Sequence, residues 1–449
     1  MNNLWRARLQ AVDSGPLPLQ PPAPEPPLQD LRMRLHRQLL AQVDLRGMER
    51  LPPAQVRQQL QQLGEQLMAQ EGVSLNEAER RQVLQGVQNE MLGLGPLEPL
   101  LADASVSDIL VNGPHSVFVE RRGRLERSEA CFADEAHLLR VIDRIVSRVG
   151  RRIDEMSPMV DARLPDGSRV NAVIAPLAMD GPLLSIRRFA VRPWQLQDLV
   201  AAQMLSPAMA EWLTAVVRAR LNVLISGGTG SGKTTLLNVL SGAIGAHERI
   251  VTIEDAAELQ LQQPHVVRLE TRPPNLEGQG EVTQRSLVRN SLRMRPDRIV
   301  LGEVRGAEVL DMLQAMNTGH DGSMSTVHAN SPRDAITRLE HMIGMAGLHL
   351  DVRTMRQQIG AALSVVVQVA RLQDGQRKVV SVQEITGLEG EVITLQEIFA
   401  FRQQGVGPDG RVRGRFEASG IRPRSMSLLQ SRGQSLREDL FRPEGPGGA

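Results

Sequence analysis

The chain has 449 residues, of which 41% are hydrophobic, a length and composition that predict two or three globular domains. Its net charge is only +1 and aromatic residues make up 2% of it, which argues against a general attraction for nucleic acid and against base stacking along a channel. Cys131 is the only cysteine, which excludes an intrachain disulfide and a Cys-x-x-Cys zinc site.

The chain carries no sequence signal for membrane insertion. The segment Met1–Gln10 lacks the apolar core of a signal peptide, and no run approaches the roughly 20 apolar residues that span a membrane. We therefore expect a protein of the reducing cytosol without an integral membrane segment. Any connection to a membrane is expected to run through partner proteins.

The N-terminal part of the chain has two predicted segments. Residues 1–28 include the run Pro21-Pro22-Ala23-Pro24-Glu25-Pro26-Pro27, and this proline density predicts a disordered arm. Residues 29–92 carry apolar side chains at helical spacing, interrupted at Pro52-Pro53 and at Gly72-Val73-Ser74. This pattern predicts a small helical bundle that contains no residues typical of catalysis.

Residues 93–189 contain strand and helix patterns in succession and are predicted to form a mixed α/β domain. Its basic residues on neighbouring predicted strands or their turns are Arg163, Arg169, Arg187 and Arg188. They could form one cluster or be ordinary surface arginines. Because adjacent strand residues face opposite ways, we expect only one of Arg187 and Arg188 to join such a cluster.

The second half of the chain is predicted to be a larger α/β domain. Residues 190–202 are predicted to be a linker, and residues 203–402 alternate between strand-like runs and helical stretches. This alternation predicts a doubly wound, mostly parallel sheet with its functional loops at the carboxyl ends of the strands. Residues 403–449 are rich in Gly, Arg, Pro, Gln and Ser, and we predict that they form a disordered tail.

A glycine-rich loop lies between an apolar strand, residues 221–225, and the start of a helix. It matches the G-x-x-x-x-G-K-[ST] pattern of a phosphate-binding loop in the context that this pattern requires. The loop amides and the helix N-terminus attract anions, Lys233 can reach the β- and γ-phosphates, and the Thr234 hydroxyl can bind Mg²⁺. The predicted nucleoside triphosphate site consists of Gly227, Gly228, Thr229, Gly230, Ser231, Gly232, Lys233, Thr234 and Thr235.

Acidic residues follow two further predicted strands. The first group consists of Glu254, Asp255 and Glu258. These carboxylates could hold Mg²⁺ through water or orient an attacking water, or they could only interact favourably with the dipole of a helix N-terminus. Glu303 stands where phosphate-loop enzymes need a carboxylate, although aspartate is the usual residue there. We therefore take Glu303 as the best single candidate for supporting Mg²⁺ or activating water.

Two histidines, His320 and His328, flank a short predicted strand. They could bind a metal, but the sequence offers no clear third ligand, and a lone histidine is more often structural. A hydrogen-bonding sensor of the γ-phosphate explains a histidine at a strand end better.

These four elements, in this order, resemble the Walker A, Asp box, Walker B and His box of the secretion traffic ATPases, which serve type II secretion, type IV secretion and pilus assembly. The resemblance covers residues 93–400 and includes the segment Gly302-Glu303-Val304-Arg305-Gly306. The N-terminal region is most similar to CpaF-type ATPases of tight-adherence (Tad/Flp) pili. The single cysteine departs from the tetracysteine zinc module of many type II secretion ATPases, so no zinc is expected.

The resemblance implies an α/β fold in which a RecA-like P-loop ATPase domain follows a mixed α/β N-terminal domain and a small helical bundle. It also implies a homohexamer that hydrolyses ATP with Mg²⁺ in the cytoplasm. Such a hexamer lies at the inner membrane through platform proteins of a pilus or secretion system. ATP would bind between the two α/β domains, and closure of these domains would drive the motor.

The resemblance also implies roles for individual residues. Lys233 and Thr234 hold phosphates and Mg²⁺, Glu303 supports Mg²⁺ or activates water, and His328 senses the γ-phosphate, with His320 less certain. Glu254, Asp255 and Glu258 form the Asp box, of which Asp255 joins Thr234 and Glu303 near the metal. In this family the N-terminal domain of the same or a neighbouring subunit supplies arginines to the phosphates. The resemblance places Arg163, Arg169 and Arg187 at those positions.

Three other functions stay open at this stage. A conjugation or type IV secretion ATPase that moves protein or DNA would have the same catalytic residues. A nucleic-acid translocase is disfavoured by the few aromatic residues and the balanced charge. A non-hydrolysing, ATP-gated scaffold is disfavoured by the intact Lys233, Thr234, Glu254 and Glu303.

Overall fold

The computed structural model of the chain describes residues 31, 34–35, 38–39, 53–71, 75–121, 123–188, 194–272, 274, 279–347 and 350–443. The chain divides into two compact units between Ala190 and Val191. Each unit is built around its own β-sheet. The predicted arm, residues 1–28, lies outside the described residues.

The first unit contains two helices before its sheet, α1 (Pro53–Glu71) and α2 (Glu77–Leu92), and the described residues 31, 34–35 and 38–39 are also helical. The Asn76 side chain accepts a hydrogen bond from the Glu79 amide at 2.9 Å, and the Glu79 carboxylate accepts one from the Asn76 amide. This reciprocal capping satisfies amides that the first turn of α2 leaves without helical partners. The helical apolar spacing is explained by one buried cluster, which contains Leu31, Leu35, Leu39, Val56, Leu60, Leu67, Met68, Val83, Leu84 and Val87.

The sheet of the first unit has six antiparallel strands. They are β1 (Val106–Asn112), β2 (Val117–Arg121), β3 (Arg124–Arg127), β4 (Met159–Arg163), β5 (Arg169–Val173) and β6 (Leu183–Arg187). Their order in the sheet is β3-β2-β1-β6-β5-β4. A 3₁₀ turn (Gly95–Leu97) and a short helix, α3 (Glu98–Ala102), lead into the sheet. Helix α4 (Glu135–Arg148) buries its apolar face in the same core as the strands.

The second unit has a nine-stranded sheet. Its strands are β7 (Val223–Gly227), β8 (Ile250–Glu254), β9 (Val266–Glu270), β10 (Arg298–Val304), β11 (Met324–Val327), β12 (Val365–Arg371), β13 (Arg377–Glu389), β14 (Val392–Val406) and β15 (Val412–Ala418). The order is β15-β14-β13-β12-β7-β11-β10-β8-β9. The six strands from β12 to β9 in this order pair in parallel, and β13 to β15 add an antiparallel ribbon. The predicted α/β fold with a mostly parallel sheet is therefore confirmed.

Helices of the second unit contribute to two buried clusters that share the strands of the sheet, as a doubly wound fold requires. These helices are α5 (Leu196–Ala201), α6 (Pro207–Arg218), α7 (Lys233–Ser241), α8 (Gln284–Ser291), α9 (Glu308–Asn317), α10 (Pro332–Gly344), α11 (Val352–Ala362) and α12 (Met426–Ser431). Within the described ranges, no helix is both long and apolar enough to cross a membrane.

A buried ion pair fixes the start of β10. The fully buried Arg298 guanidinium donates to both carboxylate oxygens of Glu248, at 2.8 and 2.9 Å. It also donates to the carbonyl oxygens of Val217 and Gly322, at 2.8 and 3.2 Å. These bonds link the amino ends of β10 and β11 to the end of α6. Removing either charged partner would leave the other charge buried and uncompensated, so the link is costly to break.

The structure differs from the sequence prediction in two segments that were predicted to lack regular secondary structure. Helix α5 lies within the predicted linker, residues 190–202, and its Leu199 is buried in the core. The predicted disordered tail instead contains the end of β14, β15, α12 and a 3₁₀ turn (Glu438–Phe441). Its polar composition predicted disorder, but a few apolar side chains, among them Leu429 and Phe441, pack into the core of the second unit.

Adjacent leucines in α12 give a matched test of this C-terminal packing. Leu429 is fully buried, whereas Leu428 is 40% exposed. We expect Leu429→Ala to lower the free energy of unfolding by about 2–5 kcal/mol because it leaves a cavity. Leu428→Ala should cost within about 0.5 kcal/mol. Urea unfolding monitored by tryptophan fluorescence would measure both, and equal small effects would contradict a packed C-terminal segment.

Candidate functional site

Parallel pairing brings the carboxyl ends of five strands to one edge of the nine-stranded sheet. Strands β8, β10, β11, β7 and β12 are consecutive neighbours in the sheet, all running the same way. The phosphate loop follows β7, the Asp box begins at the end of β8, and His328 follows β11. Glu303, which we expected just after a strand, is the penultimate residue of β10. This edge therefore collects the four elements that the sequence singled out.

The phosphate loop forms a strand–loop–helix turn with α7 beginning at Lys233. Gly230 and Gly232 have positive φ angles of 68° and 100°, a conformation that turns successive loop amides toward a bound anion. The amine of Lys233 donates to the carbonyl oxygens of Gly227 and Gly228 at 3.0 and 2.9 Å. The loop thus presents a buried cation at the N-terminus of a helix, where anions are attracted.

Glu254 lies deeper than a solvent-exposed catalytic carboxylate would. It is 3% exposed, and its Oε2 atom accepts hydrogen bonds from the amides of Glu258 and Leu259 at 2.7 and 3.0 Å. Its Oε1 atom is buried without a hydrogen-bond partner among the described residues. Burial raises the pKa of Glu254 to about 7, although the two backbone hydrogen bonds act in the opposite direction. Glu254 therefore shapes the turn that carries Asp255 and Glu258.

Glu303 is held by an arginine that our sequence-based list of site residues lacks. Arg305 Nη2 lies 2.9 Å from Glu303 Oε2, and Arg305 Nη1 lies 3.5 Å from Asp255 Oδ2. Arg305 follows Glu303 by two residues, the strand spacing that puts both side chains on one face, and this was the available signal. The guanidinium joins the acidic residues of two strand ends that are neighbours only in the folded sheet.

Close packing against Glu254 explains why glycine precedes Glu303. A Cβ atom at position 302 would lie 2.8 Å from Glu254 Cγ, so any larger residue would displace the buried carboxyl group. The Gly302 carbonyl oxygen also accepts a hydrogen bond from the Thr326 hydroxyl at 2.6 Å. The glycine at position 302 is thus explained by its neighbour Glu254 on β8.

The two histidines lie at opposite edges of the sheet. His328 follows β11, and its Nε2 atom is 3.6 Å from Glu303 Oε1. Burial, and then the charge of Lys233, lower the pKa of His328 below its usual value, so the ring is neutral at pH 7. His320 precedes β11, at the amino ends of the strands. The less certain role of His320 at the phosphates is therefore wrong, because a strand separates it from the phosphate loop.

The arginines of the first unit form a cross-strand row. Arg163 pairs with Arg169 on β4 and β5, and Arg169 pairs with Arg187 on β5 and β6. Arg187 in turn lies opposite Asp108 of β1. Arg188 instead donates to the main-chain carbonyl oxygens of Asp103 and Val106. Arg187, not Arg188, is therefore the member of the row.

Glu254→Gln tests the raised pKa. Between pH 4.5, the ordinary pKa of a glutamate, and pH about 7, Glu254 keeps its proton in the folded protein but releases it in the unfolded chain. The stabilisation from this proton is complete below pH 4.5 and is lost as the pH rises through about 7. Over this window, unfolding free energies should fall by about 3 kcal/mol more in the unmodified protein than in Glu254→Gln.

Chemical denaturation at a series of pH values would measure this difference. Asp255→Asn, at the exposed neighbouring position, is the matched control for removing a carboxylate from this turn. Identical pH dependence in Glu254→Gln and the unmodified protein would contradict a buried, protonated Glu254.

The sequence matches two models of protein families. The model of the type II/IV secretion system protein matches residues 90–415, well over half of the chain. The model of the N-terminal domain of type II secretion system protein E matches residues 28–92. The first of these matches spans the phosphate loop, the Asp box, Glu303 and His328.

Individual proteins show the same relationship. A putative conjugal transfer protein of Mycobacterium tuberculosis (strain CDC 1551 / Oshkosh) is 45% identical over 315 residues, 69% of this chain and 89% of that protein. The type IV secretion system protein PtlH of Bordetella pertussis (strain Tohama I) is 36% identical over 323 residues, 66% of this chain and 95% of that one.

A solved structure also aligns with the chain. The VirB11 ATPase of the Brucella suis type IV secretion system, in complex with sulphate, is 29% identical, with a TM-score of 0.36. The alignment covers 64% of this chain and 95% of that one. The sequence matches carry the assignment: the chain belongs to the type II/IV secretion system protein family.

Proposed function

We propose that this chain hydrolyses ATP as a hexameric motor that drives assembly of a Tad/Flp-type pilus, or a related secretion step, through an inner-membrane platform. The observation that carries the ATPase part is the meeting of Lys233, Glu303 and His328 at one sheet edge. The chain would act in the cytoplasm and reach the membrane through its partners. Membership of the secretion ATPase family supports a motor rather than another use of ATP.

The donor set at this edge fits a nucleotide with Mg²⁺. Hydroxyl and carboxylate oxygens are ligands that Mg²⁺ prefers, and the loop amides suit phosphate oxygens. Thr234, Asp255 and Glu303 would hold the Mg²⁺, which neutralises charge on the phosphates. The nine residues from Gly227 to Thr235 would bind the phosphate chain. No zinc is part of this proposal.

Each side chain then has a task in phosphoryl transfer to water. Lys233 stabilises the negative charge that develops on the transferred group. Glu303 orients the attacking water and accepts its proton, while the neutral ring of His328 donates a hydrogen bond to the γ-phosphate. Asp255 and Glu258 complete the acidic side of the site, in the turn that Glu254 holds from below.

The arginine row of the first unit supplies further positive charge. Like charges directly opposite one another destabilise a sheet, and Arg169 has an arginine on each side. An anion such as the phosphate chain, bound in the same subunit or a neighbouring one, would offset this repulsion. Arg163, Arg169 and Arg187 would then couple closure of the N-terminal domain to the nucleotide and thus to work on the platform.

Lys233→Ala tests the ATPase assignment. We expect phosphate release to fall by at least about 10²-fold, because the variant loses the amine that stabilises charge in the transition state. The matched control is Arg413→Ala, which also removes one positive charge but lies on the outer strand β15. Normal turnover in Lys233→Ala would remove this site from the reaction.

Arg169→Ala tests the arginine row and the assembly together. Turnover should fall by about 10³-fold, the range for arginines supplied to phosphates, while nucleotide binding persists. Light scattering should give about six times the 49.4 kDa chain mass for both proteins. A thermal unfolding scan of both proteins would show whether the variant is folded when turnover is measured. Unchanged turnover would exclude Arg169 from the mechanism, and a strict monomer would exclude the hexamer.

A second candidate is favoured by the names of two relatives, a putative conjugal transfer protein and a type IV secretion system protein. In that case the same ATPase would move protein or DNA substrates. Deleting the gene separates the two candidates: loss of surface pili supports the first, whereas loss of conjugation or protein secretion with normal pili supports the second. A non-hydrolysing scaffold would be the better account if the purified protein released no phosphate.

A further inference from the structure

The hairpin between β12 and β13 lies beside the phosphate loop. Strand β12 runs parallel to β7 as far as Gly227, which pairs with Val369. A side chain at position 227 would overlap the Val369 carbonyl oxygen, so glycine permits this close approach. Strand β12 continues for two residues past this pair, to Arg371. Its end therefore extends alongside the loop rather than stopping at the sheet edge.

A hydrogen-bonded turn returns the chain to the same place. The Leu372 amide donates to the Gln376 carbonyl oxygen at 2.7 Å, and the Asp374 carboxylate accepts from the amides of Gln376 and Val412 at 3.0 and 2.7 Å. These bonds fix the register in which Arg377 lies directly opposite Arg371. Two arginines are therefore held side by side on one face of the hairpin.

Both arginines border the phosphate loop. Arg377 Nε donates to the Gly230 carbonyl oxygen at 3.0 Å, and a Cβ atom at Gly232 would lie 3.4 Å from Arg377 Cδ. A Cβ atom at Gly230 would lie 3.7 Å from Arg371 Nη1. Within the described residues, the Arg377 guanidinium forms no ion pair with a carboxylate. Exposed positive charge thus lies next to the loop that already contains Lys233.

Ordinary sheet stability does not explain this arrangement. Like charges directly opposite each other destabilise an antiparallel pair. Asp374, the acidic residue of the turn, directs its carboxylate to backbone amides and to the Gln376 side chain. An anion on the loop would compensate the Arg377 guanidinium, since charge-assisted bonds from arginine to phosphate are among the stronger hydrogen bonds.

The neighbouring Lys378 shows the contrast between the two faces of β13. Its amine is buried, donates to the Gln203 carbonyl oxygen at 2.7 Å, and lies 5.6 and 5.8 Å from the ring centroids of Phe401 and Phe416. Lys378 and Lys233 are the only lysines in the sequence. Because adjacent strand residues face opposite ways, Lys378 packs inside while Arg377 faces the loop.

We propose that Arg377, with Arg371 beside it, binds the phosphate chain of the nucleotide from within the same subunit. This inference rests on the proposed ATP site and adds to it two residues that lie outside the family motifs of the sequence. It differs from the arginine row of the first unit, because the hairpin belongs to the same sheet as the phosphate loop.

Calorimetric titration of the full chain with ADP and Mg²⁺ tests the proposal. Arg377→Ala should raise the Kd by about tenfold or more, because a charged hydrogen-bond donor is lost. Arg413→Ala, which removes the same charge from β15, should leave the Kd within about twofold. An unchanged Kd in Arg377→Ala would overturn the inference, whereas failure of the unmodified protein to bind ADP would overturn the proposed function.

Arg377→Gln separates a bond to phosphate from a bond that only supports the loop. Glutamine can still donate a hydrogen bond to the Gly230 carbonyl oxygen but carries no charge. If Arg377 binds phosphate, Arg377→Gln should bind ADP as weakly as Arg377→Ala does. A Kd equal to that of the unmodified protein would instead mean that the Gly230 bond is the whole role of Arg377, and it would overturn the proposal.

Discussion

The candidate site depends on one constraint, the parallel pairing of β8, β10, β11, β7 and β12. Because these strands run the same way, every loop that leaves a carboxyl end emerges at the same edge. Residues more than 100 positions apart in the chain, such as Gly227 and Val369, become direct partners. The buried Arg298–Glu248 pair holds the opposite edge of the sheet, so the register at the site is fixed from both ends of the strands.

Positive and negative side chains lie next to one another at this edge of the sheet. Lys233 begins the helix after the loop, and Glu303 and Asp255 share the Arg305 guanidinium. Glu254 is buried, and its burial raises its pKa to about 7, so a large fraction of it keeps its proton at neutral pH. The protonated fraction of Glu254 adds no negative charge beside Glu303, so burial lowers the total negative charge of this cluster. The acidic cluster thus combines one buried residue, Glu254, that holds the turn with the more accessible carboxylates of Asp255, Glu258 and Glu303.

The antiparallel ribbon extends the second unit beyond the part that a phosphate-loop pattern describes. The sequence predicted that the α/β domain ends at residue 402, because the residues that follow are rich in Gly, Arg, Pro, Gln and Ser. In the structure, Phe399 lies between Trp212 and Phe441, at centroid distances of 6.1 and 5.8 Å, so residues from three distant segments complete one core. Composition alone could not reveal this, because a few apolar side chains suffice when their partners come from elsewhere in the chain.

The sequence by itself determined the phosphate loop, the mostly parallel α/β domain, the acidic strand ends and the family, because each depends on short spacings that are local in the chain. The tertiary structure alone decided that Arg187 rather than Arg188 joins the arginine row, and that His328 rather than His320 lies at the loop. It also decided that Arg305 and Arg377 border the site and that the C-terminal segment is folded. These outcomes depend on which strands pair and in what register, and that is set by contacts between residues far apart in sequence.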